Sequence, residues 1–257
     1  MRWLFFLTPA SDGAYNMALD EALMRRAGRS GESVFRVYSW SSPTLSLGRN
    51  QRAQGCYDVA AASKLGVSFV RRPTGGRALL HHREVTYSAT LPLTEAGPHE
   101  ARAAYDFING VLIAGLARLG VAAVRASGTA SLPPGLRPCF DVPAEHEISL
   151  SGRKLVGSAQ WRREGALLQH GSILVEDDQP LIARLLATTS DCTPKAATLA
   201  GALGYSPSTE RVAAPILESL EEAAGCRVER FALDGALDAE IQTLRATYED
   251  SAWTWRR

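Results

Sequence analysis

The chain has 257 residues, 46% of them hydrophobic, with 28 basic and 27 acidic side chains and a formal net charge of +1. That length suits one large domain or two small ones with a sizeable core, and the balanced charge excludes a strongly basic nucleic-acid surface while leaving room for a local patch that docks an acidic partner. No run approaches the roughly 18 apolar residues of a membrane span, so neither a transmembrane helix nor a signal peptide is expected and the cytoplasm is the expected compartment. Cys56, Cys139, Cys192 and Cys226 stand far apart, with no C-x-x-C pair and no histidine at metal-ligand spacing. Free thiols are therefore expected, with no zinc site, no disulfide framework and no cofactor.

A strand is expected at residues 3–7, then a helix over 14–26 with Asp12 as N-cap and with Gly28 and Gly31 ending it. Residues 34–38 and 44–47 read as strands broken apart by Pro43, together a hairpin. A short helix near 57–65 precedes a strand at 67–70, the segment 71–82, and a β-rich run at 85–91. The longest helical pattern, 101–119, stops at Gly120; a strand at 121–125 and a loop rich in proline follow, the loop running over 127–138. Residues 148–150 and 155–159 suggest a hairpin about Ser151-Gly152, with a further strand at 167–175. From Pro180 the pattern is mostly helical, with one more strand at 226–231 and a last helix at 237–248. Strands mixed irregularly with helices favour an α+β fold over a doubly wound one.

Three segments carry chemistry. In RRPTGGRALLHH, Gly75 and Gly76 follow a predicted strand, where paired glycines let the backbone turn tightly and approach a ligand. With Arg71, Arg72 and Arg77 around them they suit a loop that wraps an acyl carrier or an anion and offers N–H groups to an oxyanion. They also suit an ordinary Thr-Gly-Gly hairpin with solvated arginines. His81 and His82 point to opposite faces of any strand, so at most one serves a given site.

In CFDVPAEHEI, Cys139 follows the proline-rich loop, where a bulky partner can reach it; an inert buried thiol is the alternative. Cys226, within an apolar run, reads as structural. In GRKLVGSAQWRREGALLQHGS, Lys154 stands just past the turn beside Leu155 and Val156. Only three of the basic residues are lysines, Lys64, Lys154 and Lys195, and lysine, unlike arginine, can lose its proton near neutral pH. Lys154 thus suits a base, or an edge lysine whose ammonium reaches water. A turn centred between 151 and 152 pairs Lys154 with Ser149, so Cys139 is not its cross-strand neighbour. His170, beside Gly171, fits a pocket wall or a satisfied structural histidine.

Taken together, the segments resemble the biotin/lipoate protein ligase superfamily, and most closely its octanoyltransferase branch of the LipM type. The resemblance runs in order from Asn16-Met17-Ala18-Leu19 through Ser46-Leu47-Gly48, RRPTGGRA, Gly152-Arg153-Lys154 and Gly157-Ser158-Ala159-Gln160 to Gln169-His170-Gly171-Ser172, about two-thirds of the chain. It implies a single catalytic domain over 1–257 with mixed and antiparallel sheets and packed helices, mostly helical from about 178. Many ATP-dependent ligases carry an extra C-terminal domain that this chain is too short to contain in full.

The cysteine ahead of the lysine strand is similar to the transferase pattern, which implies Cys139 as the acyl-accepting nucleophile and Lys154 as its proton-handling partner. Substrate contacts are implied for Arg71, Arg72, Thr74, Gly75, Gly76, Arg77, His81, Gly157, Ser158, Ala159, His170 and Gly171. His146 departs from the branch, which often has an aromatic nearby. The implied reaction carries octanoyl from octanoyl-acyl carrier protein to a lysine of a lipoyl domain or glycine cleavage H protein, without ATP, nucleic acid or membrane. The alternatives are an ATP-dependent lipoate-protein ligase, in which Lys154 contacts an acyl-adenylate, and a non-catalytic acyl-carrier binding protein.

Overall fold

The structure, a computed structural model, describes residues 2–94, 98–126, 147–187 and 196–257. Its elements are β1 (Trp3–Leu7), α1 (Gly13–Ser30), β2 (Ser33–Tyr38), β3 (Thr44–Leu47), α2 (Val59–Lys64), β4 (Ser68–Arg71), β5 (Leu79–His81), β6 (Glu84–Pro92) and α3 (Pro98–Arg118). There follow β7 (Val124–Arg125), β8 (Ile148–Leu150), β9 (Arg153–Arg163), β10 (Ala166–Leu174), a 3-10 turn (Gln179–Leu185), α4 (Leu199–Leu203), α5 (Thr209–Ala224), β11 (Glu229–Arg230), α6 (Gly235–Glu249) and α7 (Ser251–Thr254). No helix among the described residues is long and apolar enough to cross a membrane.

The architecture is α+β, as expected from the sequence. The large sheet runs β11-β1-β2-β6-β10-β9-β8-β7, parallel across β11, β1 and β2 and antiparallel beyond; a small sheet runs β4-β3-β5. Side-chain alternation along the buried strand β2 divides the core. Val34 and Tyr38 join the cluster formed with α1 and α6, whereas Phe35 and Val37 join the larger one formed with α3 and α5. Helices thus cover both faces of the large sheet. The small sheet packs on α2, the 3-10 turn and Trp255.

Several expectations change in the folded chain. β2 and β3 do not form a hairpin: β2 lies between β1 and β6, while β3 enters the small sheet between β4 and β5. A strand buried on both faces is placed by the neighbours that fill its two edges, not by adjacency in sequence. Asp12 does cap α1, accepting from the Tyr15 amide at 2.8 Å, but the helix passes through Gly28 and ends at Gly31, whose φ is 74°. Gly28 is needed for packing instead, because a Cβ there would lie 2.9 Å from the carbonyl oxygen of Glu164 in the β9–β10 turn.

The strands expected at 121–125 and 226–231 shrink to two residues each. In both cases the preceding helix takes the amide: Val121 donates to Leu116 O and Cys226 to Glu221 O, after glycines with positive φ at 120 and 225. These wraps close the helix ends and leave Cys226 exposed rather than inside an apolar strand. The short strand β5 was not expected at all.

One polar cluster sits in the middle of this core. Asp20 and Arg36 are both fully buried, with Arg36 Nη1 donating to Asp20 Oδ1 at 2.8 Å, and Arg36 also donates to Asn16 and Thr8. Ser88 and Tyr38 donate to the two Asp20 oxygens at 2.7 and 2.9 Å. Burial by itself would raise the Asp20 pKa, but the bonds from His170 and Ser88 and the charge of Arg36 outweigh it and hold the carboxyl below its usual value. Removing one member strands a buried charge. Asp20→Ala is therefore expected to lower stability by about 3–5 kcal/mol, measured as a reduced urea midpoint at neutral pH; a loss within the range of a surface substitution would contradict this role.

Candidate active site

The Gly75-Gly76 turn is a crossover and not a hairpin. β4 runs parallel to β3 on one edge and β5 antiparallel on the other, so residues 72–78 must pass over the end of β3. The passage is close: a Cβ on Gly48, just beyond β3, would lie 2.0 Å from the carbonyl oxygen of Gly76, and Gly76 itself has φ 94°. Only glycine meets both demands.

Two of the three arginines here, Arg71 and Arg72, are buried rather than solvated. Arg72, buried, donates to Gly75 O at 2.8 Å, Arg77 O at 2.7 Å, and Ser46 O and Oγ at 3.0 Å each, tying the loop to β3. Arg71 is fully buried and points away, donating to Gly48 O, Gln51 O and Thr254 O at 2.6, 2.9 and 2.8 Å. Its role is to join the end of β3 to the C-terminal helix. Arg77 is partly exposed beside the loop.

Behind the loop stand two buried histidines. His170, in the middle of β10, places Nδ1 3.0 Å from Asp20 Oδ2 and Nε2 2.6 Å from the Thr74 hydroxyl. Burial, the largest influence, depresses its pKa below 6.5 despite Asp20. A carboxylate can only accept, so neutral His170 carries its proton on Nδ1 and takes the Thr74 hydrogen on Nε2. The loop is thereby latched to the large sheet. His81, on β5, lies against Trp40 with ring centroids 4.0 Å apart, Nε2 2.8 Å from Ser46 Oγ and Nδ1 2.7 Å from Glu84 Oε1. Glu84 also accepts from Thr86, whose oxygen in turn accepts from Trp40 Nε1. His82 faces outward near Asp178.

These groups line a small, largely apolar pocket of about 40 Å³, partly open to solvent and below the range of about 300–1,000 Å³ usual for small-molecule sites. Of the residues expected from sequence, Arg72, Gly76, His81, Gly157, Ser158, Ala159, His170 and Gly171 line it. Met17, Tyr38, Trp40, Leu79 and Thr86 complete the wall. Gly171 is required there, since a Cβ would lie 2.5 Å from Gly157 O and 2.7 Å from the Tyr87 ring.

Lys154 is not in this wall. Its side chain is 2% exposed, and Nζ lies 2.7 Å from Glu147 Oε1. Pairing of β8 with β9 does set Lys154 opposite Ser149. Strand alternation puts Ser158 on the α3 side of the sheet, where Gln169 bonds to Asn109 of α3, while Ala159 and His170 face α1; Lys154 and Glu147 are near enough to Tyr105 of α3 to act on its hydroxyl electrostatically. Ser158 connects the two sides, lining the cavity while its Oγ lies 2.7 Å from the Tyr87 hydroxyl. Glu147 was not expected from the sequence: it precedes β8, and the irregular pairing between Ile148 and Ser149 removes the alternation that would have marked it. Cys139 and Cys192 lie outside the described residues. Among the described residues no group of three or more His, Cys, Asp or Glu is arranged to hold a metal ion.

A family model for the lipoyl protein ligase A/B catalytic domain matches residues 12–221. The chain belongs to this family. Among its relatives, the octanoyltransferase LipM of Kyrpidia tusciae is 39% identical over 99% of both chains, and that of Carboxydothermus hydrogenoformans is 42% identical over 72% of this chain and 69% of its own. Of solved structures, lipoate-protein ligase A bound with ATP superposes with a TM-score of 0.83 at 19% identity, covering 99% of each chain. A bi-partite lipoate protein ligase from Thermoplasma acidophilum, solved in a study of it and its E2 lipoyl domain, gives 0.79 at 19%, covering 99% and 95%. The family match spans the glycine loop, both buried histidines and Lys154.

Two outcomes follow for this family member. Gly171→Ala should displace β9 or Tyr87, since two of the three close contacts are backbone and ring, and should destabilise by about 1–3 kcal/mol as overpacking does, seen as a lower melting temperature. The depressed His170 pKa means that the unfolded chain binds a proton more readily, so this contribution to stability is whole above about pH 6.5 and is lost as pH falls toward the folded value. His170→Gln should flatten the stability profile between pH 7 and 5.5 in urea titrations; an unchanged slope would refute the assignment.

Proposed function

We propose that this chain is an octanoyltransferase of protein lipoylation, carrying octanoyl from octanoyl-acyl carrier protein to a lysine of a lipoyl domain, such as glycine cleavage H protein, through a thioester on Cys139. The similarity to octanoyltransferase LipM over 99% of both chains carries this reading. The apolar cavity under the glycine loop and the buried, carboxylate-paired Lys154 are consistent with it. Residues 1–257 are read as one catalytic domain.

In the first half-reaction the Cys139 thiolate adds to the thioester carbonyl, and the donor's thiolate leaves with a proton. In the second, the acceptor lysine amine adds to the Cys139 thioester, loses a proton, and expels the thiolate as an amide forms. A cysteine thiol is mostly protonated at neutral pH, its usual pKa being about 8.5. Lys154, after passing its own proton to the Glu147 carboxylate it pairs with, would take the Cys139 proton and pass it to the departing thiol, with Glu147 stabilising the ammonium in between. Arginine at 154 would stay charged and could not relay. Loop N–H groups near Gly76 would serve the oxyanion, and the incoming thioester is already activated, so no nucleotide is consumed.

Intact-protein mass spectrometry after incubation with octanoyl-acyl carrier protein should show a hydroxylamine-labile octanoyl adduct on wild type and none on Cys139→Ala. Lys154→Arg should lower turnover by about 10²–10⁴-fold, the usual worth of a positioned acid–base group. Full-rate transfer by Cys139→Ala, or a requirement for ATP with free octanoate, would overturn the proposal in favour of a ligase; stoichiometric binding without turnover would favour a carrier-binding protein.

A further inference from the structure

Formal charge over the whole chain nearly cancels, yet it is unevenly spread. Residues 48–57 and 251–257 contain no aspartate or glutamate and together carry Arg49, Arg52, Arg256 and Arg257. The fold brings the two segments together. The Arg257 carbonyl accepts from the Ala53 and Gln54 amides at 2.8 and 2.9 Å, Arg256 Nη2 donates to Arg49 O at 2.6 Å, and Arg71 below bonds to Thr254 O.

None of these four arginines has a carboxylate partner among the described residues. Arg52, Arg256 and Arg257 are exposed and Arg49 is partly so. Aromatic rings hold two of them: Arg256 lies over Trp253 at 4.2 Å, and Arg49 over Trp161 at 4.9 Å and Trp253 at 5.9 Å. Such stacking keeps guanidinium groups in place without neutralising them. Mutual repulsion registers in the patch: burial first, then Arg49 and Arg257, depress the Arg256 pKa. Burial first, then Arg256, Arg257 and Arg72, push that of Arg71 down to about 10.

The patch borders the cavity. The Arg49 amide donates to Thr74 O at 2.8 Å within the glycine loop, and Trp161, under the Arg49 guanidinium, is two residues along the same strand face from Ala159 of the cavity wall. Like charges gathered at the rim of a site, unpaired and preorganised, cost stability when the chain is alone and are relieved by an anionic partner.

We propose that Arg49, Arg52, Arg256 and Arg257 form the docking surface for the acidic carrier protein that delivers the acyl thioester. This rests on the transferase reading above. The donor is favoured over the acceptor on charge: a carrier with an acidic body and a phosphodiester-linked arm gains from a cationic rim, whereas the acceptor must bring a lysine ammonium toward it. Arginine pairs with phosphate and carboxylate in a bidentate fork.

The test uses Arg52→Glu, whose side chain has no bonding partner to lose among the described residues, and the double variant Arg52→Glu/Arg256→Glu, each checked for an unchanged circular dichroism spectrum. Direct binding of holo-acyl carrier protein, followed by fluorescence anisotropy at low salt, should weaken at least about tenfold in the double variant and partway in the single one. The KM for octanoyl-acyl carrier protein should rise in step, with kcat unchanged, and wild-type kcat/KM should fall with added salt more steeply than that of the variant. Transfer from octanoyl-pantetheine, which lacks the protein body, should be unaffected. Unaltered carrier binding, an equal loss with octanoyl-pantetheine, or a rise confined to the KM of the acceptor lipoyl domain would each overturn the proposal. Absence of any transfer from octanoyl-acyl carrier protein by the wild type would instead overturn the transferase reading on which it rests.

Discussion

Much of this molecule is organised around a carboxylate buried between a helix and a sheet. Asp20 reaches from α1 to Arg36 and Tyr38 on β2, Ser88 on β6 and His170 on β10, so one side chain gathers three adjacent strands. A buried charge is tolerable only when every oxygen is satisfied. Here each oxygen accepts twice, which restricts the register of β2, β6 and β10 against the helix. Such pairs are weak evidence for stability and better evidence for uniqueness of arrangement. Apolar side chains alone would pack in more than one way; these polar contacts would be left unmade in any other.

From that anchor the order passes outward to the site. His170 takes its tautomer from Asp20 and presents Nε2 to Thr74, and Thr74 begins the turn that carries Gly75 and Gly76 over the end of β3. Arg72 holds the same turn from the other side through Ser46, Gly75 and Arg77. The backbone between them has little freedom left. A binding loop held by a buried histidine and a buried arginine is preorganised, so little ordering entropy remains to be lost when a ligand enters.

The two chemically distinctive regions lie on different sides of one sheet. The cavity and its histidines face α1, while Lys154 and Glu147 lie on the α3 side at the far strands β8 and β9. Ser158, with glycines at 157 and 171 close by, is where the sides meet. A lysine held in place by a carboxylate is suited to proton transfer at a fixed point; a largely apolar pocket is suited to holding part of an apolar chain.

Much of the local architecture was readable from the residues alone. Alternation and helical periodicity located β1, β2, α1, α3 and α6, Asp12 announced the start of α1, and Ser151-Gly152 announced the β8–β9 turn with the register that sets Lys154 opposite Ser149. The order of the motifs carried the family. These features depend on a residue and its near neighbours, which is why one sequence suffices for them. What only the tertiary structure decided depends on partners distant in the chain. It put β2 and β3 in different sheets, turned Arg71 and Arg72 inward, made Gly28 a packing residue and drew the amides of Val121 and Cys226 into helix ends. It also brought residues 48–57 against 251–257, because two stretches without an acidic side chain become one concentrated charge only when the fold lays them side by side.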